Sequence, residues 1–270
     1  MRFTKMTLAF LLAFVTAEVS AEGTKLDIGA PAPQVLSTYY AAKAQGVDEV
    51  KSKLKANGFS ILATTVPIKG STVITVSNKE LQNTNSWLAT LNVLVNEKEV
   101  RVQNPSYFGA AYLQGSFKYG QFASTIKSLQ AALGDLYTVK DEYKIAKLPE
   151  YHFMMGMAKV NDTITVAEGA DLSTKLKDNK YVAYSLKLPN GSTLVGHNLI
   201  SRTNKFLLKI DAAHNAHILP YKSMIKDGKA IMLDPKYYLA VSLPLLSMGE
   251  FMKIASTPGE IEKDIKRAYK

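Results

Sequence analysis

Residues 100–113 read VRVQNPSYFGAAYL, and residues 230–243 read AIMLDPKYYLAVSL. In the first stretch Val100 and Val102 alternate with Arg101 and Gln103, the pattern of a half-buried strand. Each stretch then passes through Asn-Pro or Asp-Pro into an apolar run that carries two aromatics, Tyr107-Phe108 or Tyr237-Tyr238. Asn104 and Asp234 are of the residue types that cap helix N-termini. Pro105 and Pro235 suit the first helical position, where no backbone N–H is required. A strand running into a capped helix, met twice at an offset of 130, points to a duplicated chain.

Three further echoes keep the same order. SKLKAN at 52–57 matches TKLKDN at 174–179, an offset of 122. Gly70-Ser71-Thr72-Val73 matches Gly191-Ser192-Thr193-Leu194 at 121, and Gly120-Gln121-Phe122 echoes Gly249-Glu250-Phe251. The spacing predicts two repeats, at 34–140 and 150–270, joined by a polar segment around Asp135 to Glu150. The growth of the offset from 121 to 130 places about nine extra residues in the second repeat, ahead of its last large block.

Each repeat has one coarse plan. An extended opening, Gln34–Ala41 or Tyr151–Lys159, precedes a helix. Val47, Val50 and Leu54 share one face of the first helix, and Leu172 and Leu176 repeat the spacing. Asn57-Gly58 ends the first helix, because Gly adopts the left-handed position after a helix without a Cβ clash. Two strands follow, Phe59–Val66 and Ser71–Ser77, and in the second repeat Asn190-Gly191 suits the matching hairpin turn. After a short helical piece, Leu91, Val93 and Val95 begin a second hairpin, whose turn in the second repeat is Asp227-Gly228. Thr257-Pro258-Gly259-Glu260 reads as a capping box opening the last helix. Helices interleaved with antiparallel hairpins make the expected class α+β, with two similar repeats, each a sheet of hairpins with helices packed on it.

Composition narrows the chemistry. The 270 residues are 47% hydrophobic, ample for packed cores. There is no Cys, which excludes disulfides, thiolate metal sites, a Cys nucleophile and lipid attachment at Cys. Arg2 and Lys5 precede an apolar run, Met6 to Val15, and then small residues ending at Ala17 or Ala21. This is the order of a secretory signal peptide, 1–21, whose apolar run is far shorter than the ~20 residues of a membrane span. The expectation is a soluble protein, periplasmic or secreted, with no membrane span. The net charge of +10 falls only to +9 on cleavage after Ala21. The 29 Lys are scattered and only 4 Arg are present, which fits a solvated basic surface rather than a specific nucleic-acid site.

The second repeat resembles the domain of unknown function 302 family. The likeness runs through the Lys175–Asn179 helix end, Val195-Gly196-His197-Asn198, Leu219-Pro220-Tyr221, the Asp227-Gly228 turn and Asp234-Pro235. The first repeat departs from it: Ala89-Thr90 stands for Leu219-Pro220, and Glu97-Lys98 for Asp227-Gly228. The resemblance implies a compact sheet with helices against it, and a fused pair of domains that imitates a dimer. It carries over no catalytic residue.

Common catalytic signatures are absent: no HExxH, GxSxG, Walker A or GxGxxG. Asp211, His214 and His217 form D-x-x-H-x-x-H, whose ligand types suit Zn²⁺ or Cu²⁺ and whose spacing of three would align them on a helix. A surface loop with two histidines is the plainer alternative. The aligned positions Leu81, Thr84 and Trp87 offer no such set. His152, Met154, Met155 and Met157 are soft enough for Cu(I), yet alternation on a strand would split them between faces and favour core packing. Tyr107, Phe108, Tyr237 and Tyr238 are candidate ligand-binding aromatics, or a core or inter-repeat contact. The leading expectation is a non-catalytic exported module that binds a small molecule. A metal-binding envelope protein and a structural component of the envelope are the alternatives. No cofactor is assigned and no catalytic residue is nominated.

Overall fold

The computed structural model describes residues 23–270, so the leader expected at 1–21 lies outside the described residues. Strands β1 (Val35–Ser37) and β2 (Tyr39–Lys43) lead into helix α1 (Val47–Ala56) and the β3 (Ser60–Ile68)–β4 (Ser71–Ser77) hairpin. Short α2 (Lys79–Gln82) precedes the β5 (Leu91–Val95)–β6 (Glu99–Gln103) hairpin, α3 (Pro105–Leu113) and α4 (Ala123–Leu133). In the joining segment β7 (Glu142–Lys144) pairs with β1. The second repeat runs β8 (Thr163–Glu168), α5 (Leu172–Lys175), β9 (Val182–Lys187), β10 (Thr193–His197), α6 (Ser201–Asn204) and α7 (Phe206–Lys209). It closes with β11 (Tyr221–Lys226), β12 (Lys229–Leu233), α8 (Pro235–Ser242), α9 (Met248–Lys253) and α10 (Thr257–Arg267).

The class is α+β. Two antiparallel five-stranded sheets have the orders β2-β6-β5-β4-β3 and β8-β12-β11-β10-β9, the same order strand for strand. Even an irregularity is shared. The β3–β4 register slips by one residue between Ile61 and Ala63, and the β9–β10 register slips at the equivalent Val182 and Tyr184. These pairings align side chains that block matching alone leaves approximate. Thr75 faces Asn92 across one sheet and Gly196 faces Lys222 across the other, so Asn92 and Lys222 are counterparts.

The local signals act as chemistry requires. Val50 and Leu54 are fully buried, and Gly58 follows the helix end at φ +86°. Asp227 and Gly228 both take positive φ in their two-residue turn, 50° and 72°. The Asn104 Oδ1 accepts from the Ser106 N–H at 2.9 Å, and the Asp234 Oδ1 from the Lys236 N–H at 2.8 Å. Replacing either cap with Ala is expected to lower stability by about 1 kcal/mol in urea unfolding.

Four expectations need correction. The opening strand of the second repeat is β8, not Tyr151–Lys159, which forms bends and turns after a 3-10 piece that ends at Glu150. The alternation argument for the methionines therefore fails: Met155 is 95% exposed and Met154 is 47% exposed. The capping box belongs to Ser247 and Glu250 at the start of α9, whereas Ser256 ahead of α10 makes no side-chain cap. The Gly-x-Phe echo has no structural equivalence, because Gly120 sits in a turn at φ +85° and Gly249 lies inside α9. The helix in the place of α4 is α10. The α4 helix packs on α1 and α2, while α10 packs on α6 and its last turn accepts a bond from Asn179 after α5.

One continuous apolar cluster runs through both repeats. Polar contacts across the seam follow a pseudo-twofold rule. The Asn92 Nδ2 donates to the His217 and Leu219 carbonyls at 2.9 and 3.1 Å. Its counterpart, the Lys222 Nζ, donates to the Trp87 and Thr90 carbonyls, both at 3.1 Å. Each repeat thus inserts the segment ahead of its second hairpin against the sheet of the other, the isologous pattern of a twofold dimer held in one chain. Among the described residues no helix is long and apolar enough to cross a membrane.

Candidate functional site

The extra residues of the second repeat lie in the long β10–β11 connection, which holds α6, α7 and a 3-10 stretch, Ala213–Ile218. Where this connection meets the joining segment, a cavity of about 230 Å³ opens at the surface. Ile210, Leu243, Leu245 and Leu246 form its apolar walls, and Asp141, Asp211, His214, Asn215 and Glu250 supply polar groups. Asp211 takes φ +52°, a left-handed conformation that Asp tolerates better than most residues. It breaks the chain direction ahead of the 3-10 stretch, and both Asp211 and His214 line the cavity.

The cavity is anchored to the first repeat. The Asn215 Nδ2 donates to the Asp141 Oδ2 at 3.3 Å, and the Asn215 Oδ1 accepts from the Arg101 guanidinium at 3.0 Å. Arg101 also pairs with Glu99, donates to the Tyr39 hydroxyl and stacks over the Tyr39 ring at 4.4 Å. Loss of solvent around His214 lowers its pKa, and the Arg101 charge lowers it further, so the imidazole is neutral at pH 7. The Glu250 carboxyl is lowered by its bonds to Ser247. Three carboxylates therefore face this cavity in a protein of net charge +10, with apolar walls beside them.

The three proposed metal ligands do not share one place. Asp211 and His214 line the cavity. His217 is 1% exposed, and its ring centroid lies 4.9 Å from that of Tyr39. The physical cause is the backbone: Asn215 has non-helical angles inside the stretch, so the spacing of three is not carried along one face. Among the described residues no group of three or more His, Asp or Glu side chains stands close enough to hold a metal ion.

No family model, curated protein or solved structure matches the chain. The site is thus read from its own geometry.

The four aromatics are core, and none of them lines this cavity. Tyr107, Phe108, Tyr237 and Tyr238 are each at most 3% exposed. The Tyr107 hydroxyl donates to the Val241 carbonyl at 2.8 Å and the Tyr238 hydroxyl to the Ile218 carbonyl, so they fasten helices and repeats together. Asp141, Asn215 and Glu250 escaped the sequence reading. The nine-residue gain was the available signal for Asn215. Nothing in the sequence brings Asp141 or Glu250 beside it, since that proximity is tertiary.

Proposed function

We propose that this chain is an exported, non-catalytic binding protein that takes a small organic cation with an apolar body in the cavity beside Asp211 and His214. The carrying observation is the pairing of apolar walls, Ile210, Leu243, Leu245 and Leu246, with the carboxylates of Asp141, Asp211 and Glu250. Pockets that bind small molecules are lined in this way, by apolar surface with a few convergent polar groups. Export rests on the charged, apolar and small-residue order of positions 1–21. Kinship of the second repeat with the domain of unknown function 302 family belongs to the same reading and rests on its turns and caps.

Titration calorimetry of the mature chain with butylammonium, butanol and butyrate tests the proposal. Butylammonium is expected to bind best and butyrate not at all, and added salt should weaken binding. Asp211→Asn, which keeps the left-handed backbone comfortable, is expected to weaken butylammonium about fivefold. Equal binding of the three probes, or none, would overturn the reading.

A further inference from the structure

Among the described residues seven large apolar side chains are exposed, and five of them, Met154, Met155, Leu245, Met248 and Met252, belong to two short segments. One segment is the turn at 153–157, and the other is α9 with the residues leading into it. The Phe153 and Phe251 rings join the segments, with centroids 5.1 Å apart. The methionines divide cleanly. Met224 and Met232 are buried in the core, and every other methionine of the described chain, Met157 included, lies in these two segments.

The α9 helix is costly to leave in this state. A helix of one to two turns gains little from its own hydrogen bonds and is normally held by docking an apolar face. None of the six residues of α9 is buried. Met248 and Met252 stand one turn apart on one face and are 44% and 64% exposed. The helix is nevertheless fixed: the Ser247 Oγ accepts from the Glu250 N–H at 3.2 Å, and the Glu250 carboxylate accepts from the Ser247 N–H at 2.8 Å. It has no equivalent in the first repeat, so the packing common to both copies does not explain it. A preformed apolar surface that the fold leaves uncovered marks a docking site for another molecule.

This surface runs into the cavity beside Asp211 and His214. Leu245 and Glu250 belong to both: each lines the cavity, Leu245 is itself 60% exposed, and Glu250 is the third residue of α9. The one basic residue of α9, Lys253, is at the opposite end of the helix from Leu245 and Leu246. The carboxylates of Asp141, Asp211 and Glu250 thus border a run of Leu and Met side chains. Their complement is a cation on an aliphatic stem with apolar groups beside it. A lysine within an apolar peptide segment has this chemistry, since its four-carbon stem suits the apolar walls and its ammonium suits the carboxylates. Methionine is unbranched, flexible and polarisable, and surfaces rich in it re-pack around apolar peptide side chains of differing shape. A membrane surface fits less well, because the bordering carboxylates repel anionic headgroups.

We propose that the cavity and this surface together form a docking site for an apolar peptide segment of another protein, with one lysine side chain in the cavity and the flanking residues on Met248 and Met252. The inference rests on the cation reading of the cavity and names the partner that presents the cation.

Titration calorimetry of the mature chain with three end-blocked peptides, beside free butylammonium, tests this. The peptides are Gly-Leu-Phe-Lys-Leu-Leu-Gly, the same sequence with Gln for Lys, and Gly-Ser-Ser-Lys-Ser-Ser-Gly. The apolar lysine peptide is expected to bind about tenfold tighter than butylammonium, and the other two peptides more weakly than the first. Met248→Ser combined with Met252→Ser, both at exposed positions, should weaken the apolar lysine peptide about tenfold and leave butylammonium unchanged, which also shows that the variant is folded. Asp211→Asn should weaken both. Butylammonium binding with no gain from the apolar flanks, equal binding of the Lys and Gln peptides, or full peptide binding by the double methionine variant would overturn the inference and leave the cavity reading standing. No binding of butylammonium or of any peptide would remove both. Sedimentation with phosphatidylglycerol vesicles, or a dimer in analytical ultracentrifugation, that the methionine changes abolish would assign the surface to a membrane or to a second copy and overturn the inference as well.

Discussion

Gly196→Ala is expected to destabilise the protein by about 3 kcal/mol, although it adds a single methyl group. A Cβ at this position would lie 2.0 Å from the Tyr184 Cε1 and 2.5 Å from its Cδ1. No small adjustment relieves such an overlap. The ring must leave the strand surface, lose its burial and give up its contact with Thr90 across the seam. Tyr184→Ala alone should cost a similar amount, through the void it leaves. The two changes share one cause, so together they should cost about 2 kcal/mol less than their sum. The first repeat already contains the alternative solution, with Ala63 opposite Thr75. Tyr184→Ala combined with Gly196→Thr rebuilds that pair in the second repeat and should be more stable than either single change. Urea unfolding of these variants beside the wild type decides it. A Gly196→Ala protein within 0.5 kcal/mol of the wild type, by the usual scatter of surface substitutions, would mean that the ring does not lie on the glycine.

Such pairs explain where the sequence was legible and where it was not. The duplication could be read because caps and turns are local chemistry: Asn104, Asp234, Asn57-Gly58 and Asp227-Gly228 act within a few residues of themselves. The β3–β4 and β5–β6 hairpins were legible too, because a hairpin joins neighbours, whereas the pairing of β4 with β5 and of β2 with β6 is tertiary. The reading failed where a local pattern met a tertiary demand. Residues 151–159 carry apolar residues yet form turns, and their methionines reach the surface. Thr257–Glu260 has the spacing of a capping box, but the reciprocal bonds form at Ser247 and Glu250, one short helix earlier. The triad Asp211, His214 and His217 has the spacing of a helix face, but Asn215 breaks the helix and turns His217 into the core.

The cavity shows the same division. Its connection was marked by the nine-residue gain, and Asp211 and His214 were singled out for their chemistry. Their neighbours were not legible, because Asp141 comes from the joining segment and Glu250 from α9, an element with no equivalent in the first repeat. The aromatic doublets recur because both copies need the same large side chains in the core. Recurrence of this kind marks packing, whereas the cavity lies where the copies differ.

Lys222 is the sharpest difference inside the seam, and it gives stability an unusual dependence on pH. Its counterpart Asn92 is neutral and makes the equivalent pair of bonds across the pseudo-twofold axis, to the His217 and Leu219 carbonyls. Lys222 brings an ammonium to that position, 6% exposed, with only the Trp87 and Thr90 carbonyls as acceptors. Burial pushes the amine down from 10.5 to about 7. Between these values the unfolded chain holds a proton that the native protein has released. Stability therefore rises with pH from about 7 toward 10.5, and below 7 the native state carries the full cost of the buried charge. One proton of difference corresponds to about 1.4 kcal/mol per pH unit within the window. The neutral amine still has hydrogens for both carbonyls, so the seam contacts survive deprotonation. Lys222→Met keeps the length and removes the titration, and groups shared by both proteins cancel in the comparison. Urea midpoints measured at pH 6, 7.5 and 9 should diverge, with the wild type gaining on Lys222→Met as pH rises and the two running parallel below pH 7. Parallel behaviour across the whole range would show that Lys222 keeps an ordinary amine pKa, and hence that water reaches the seam.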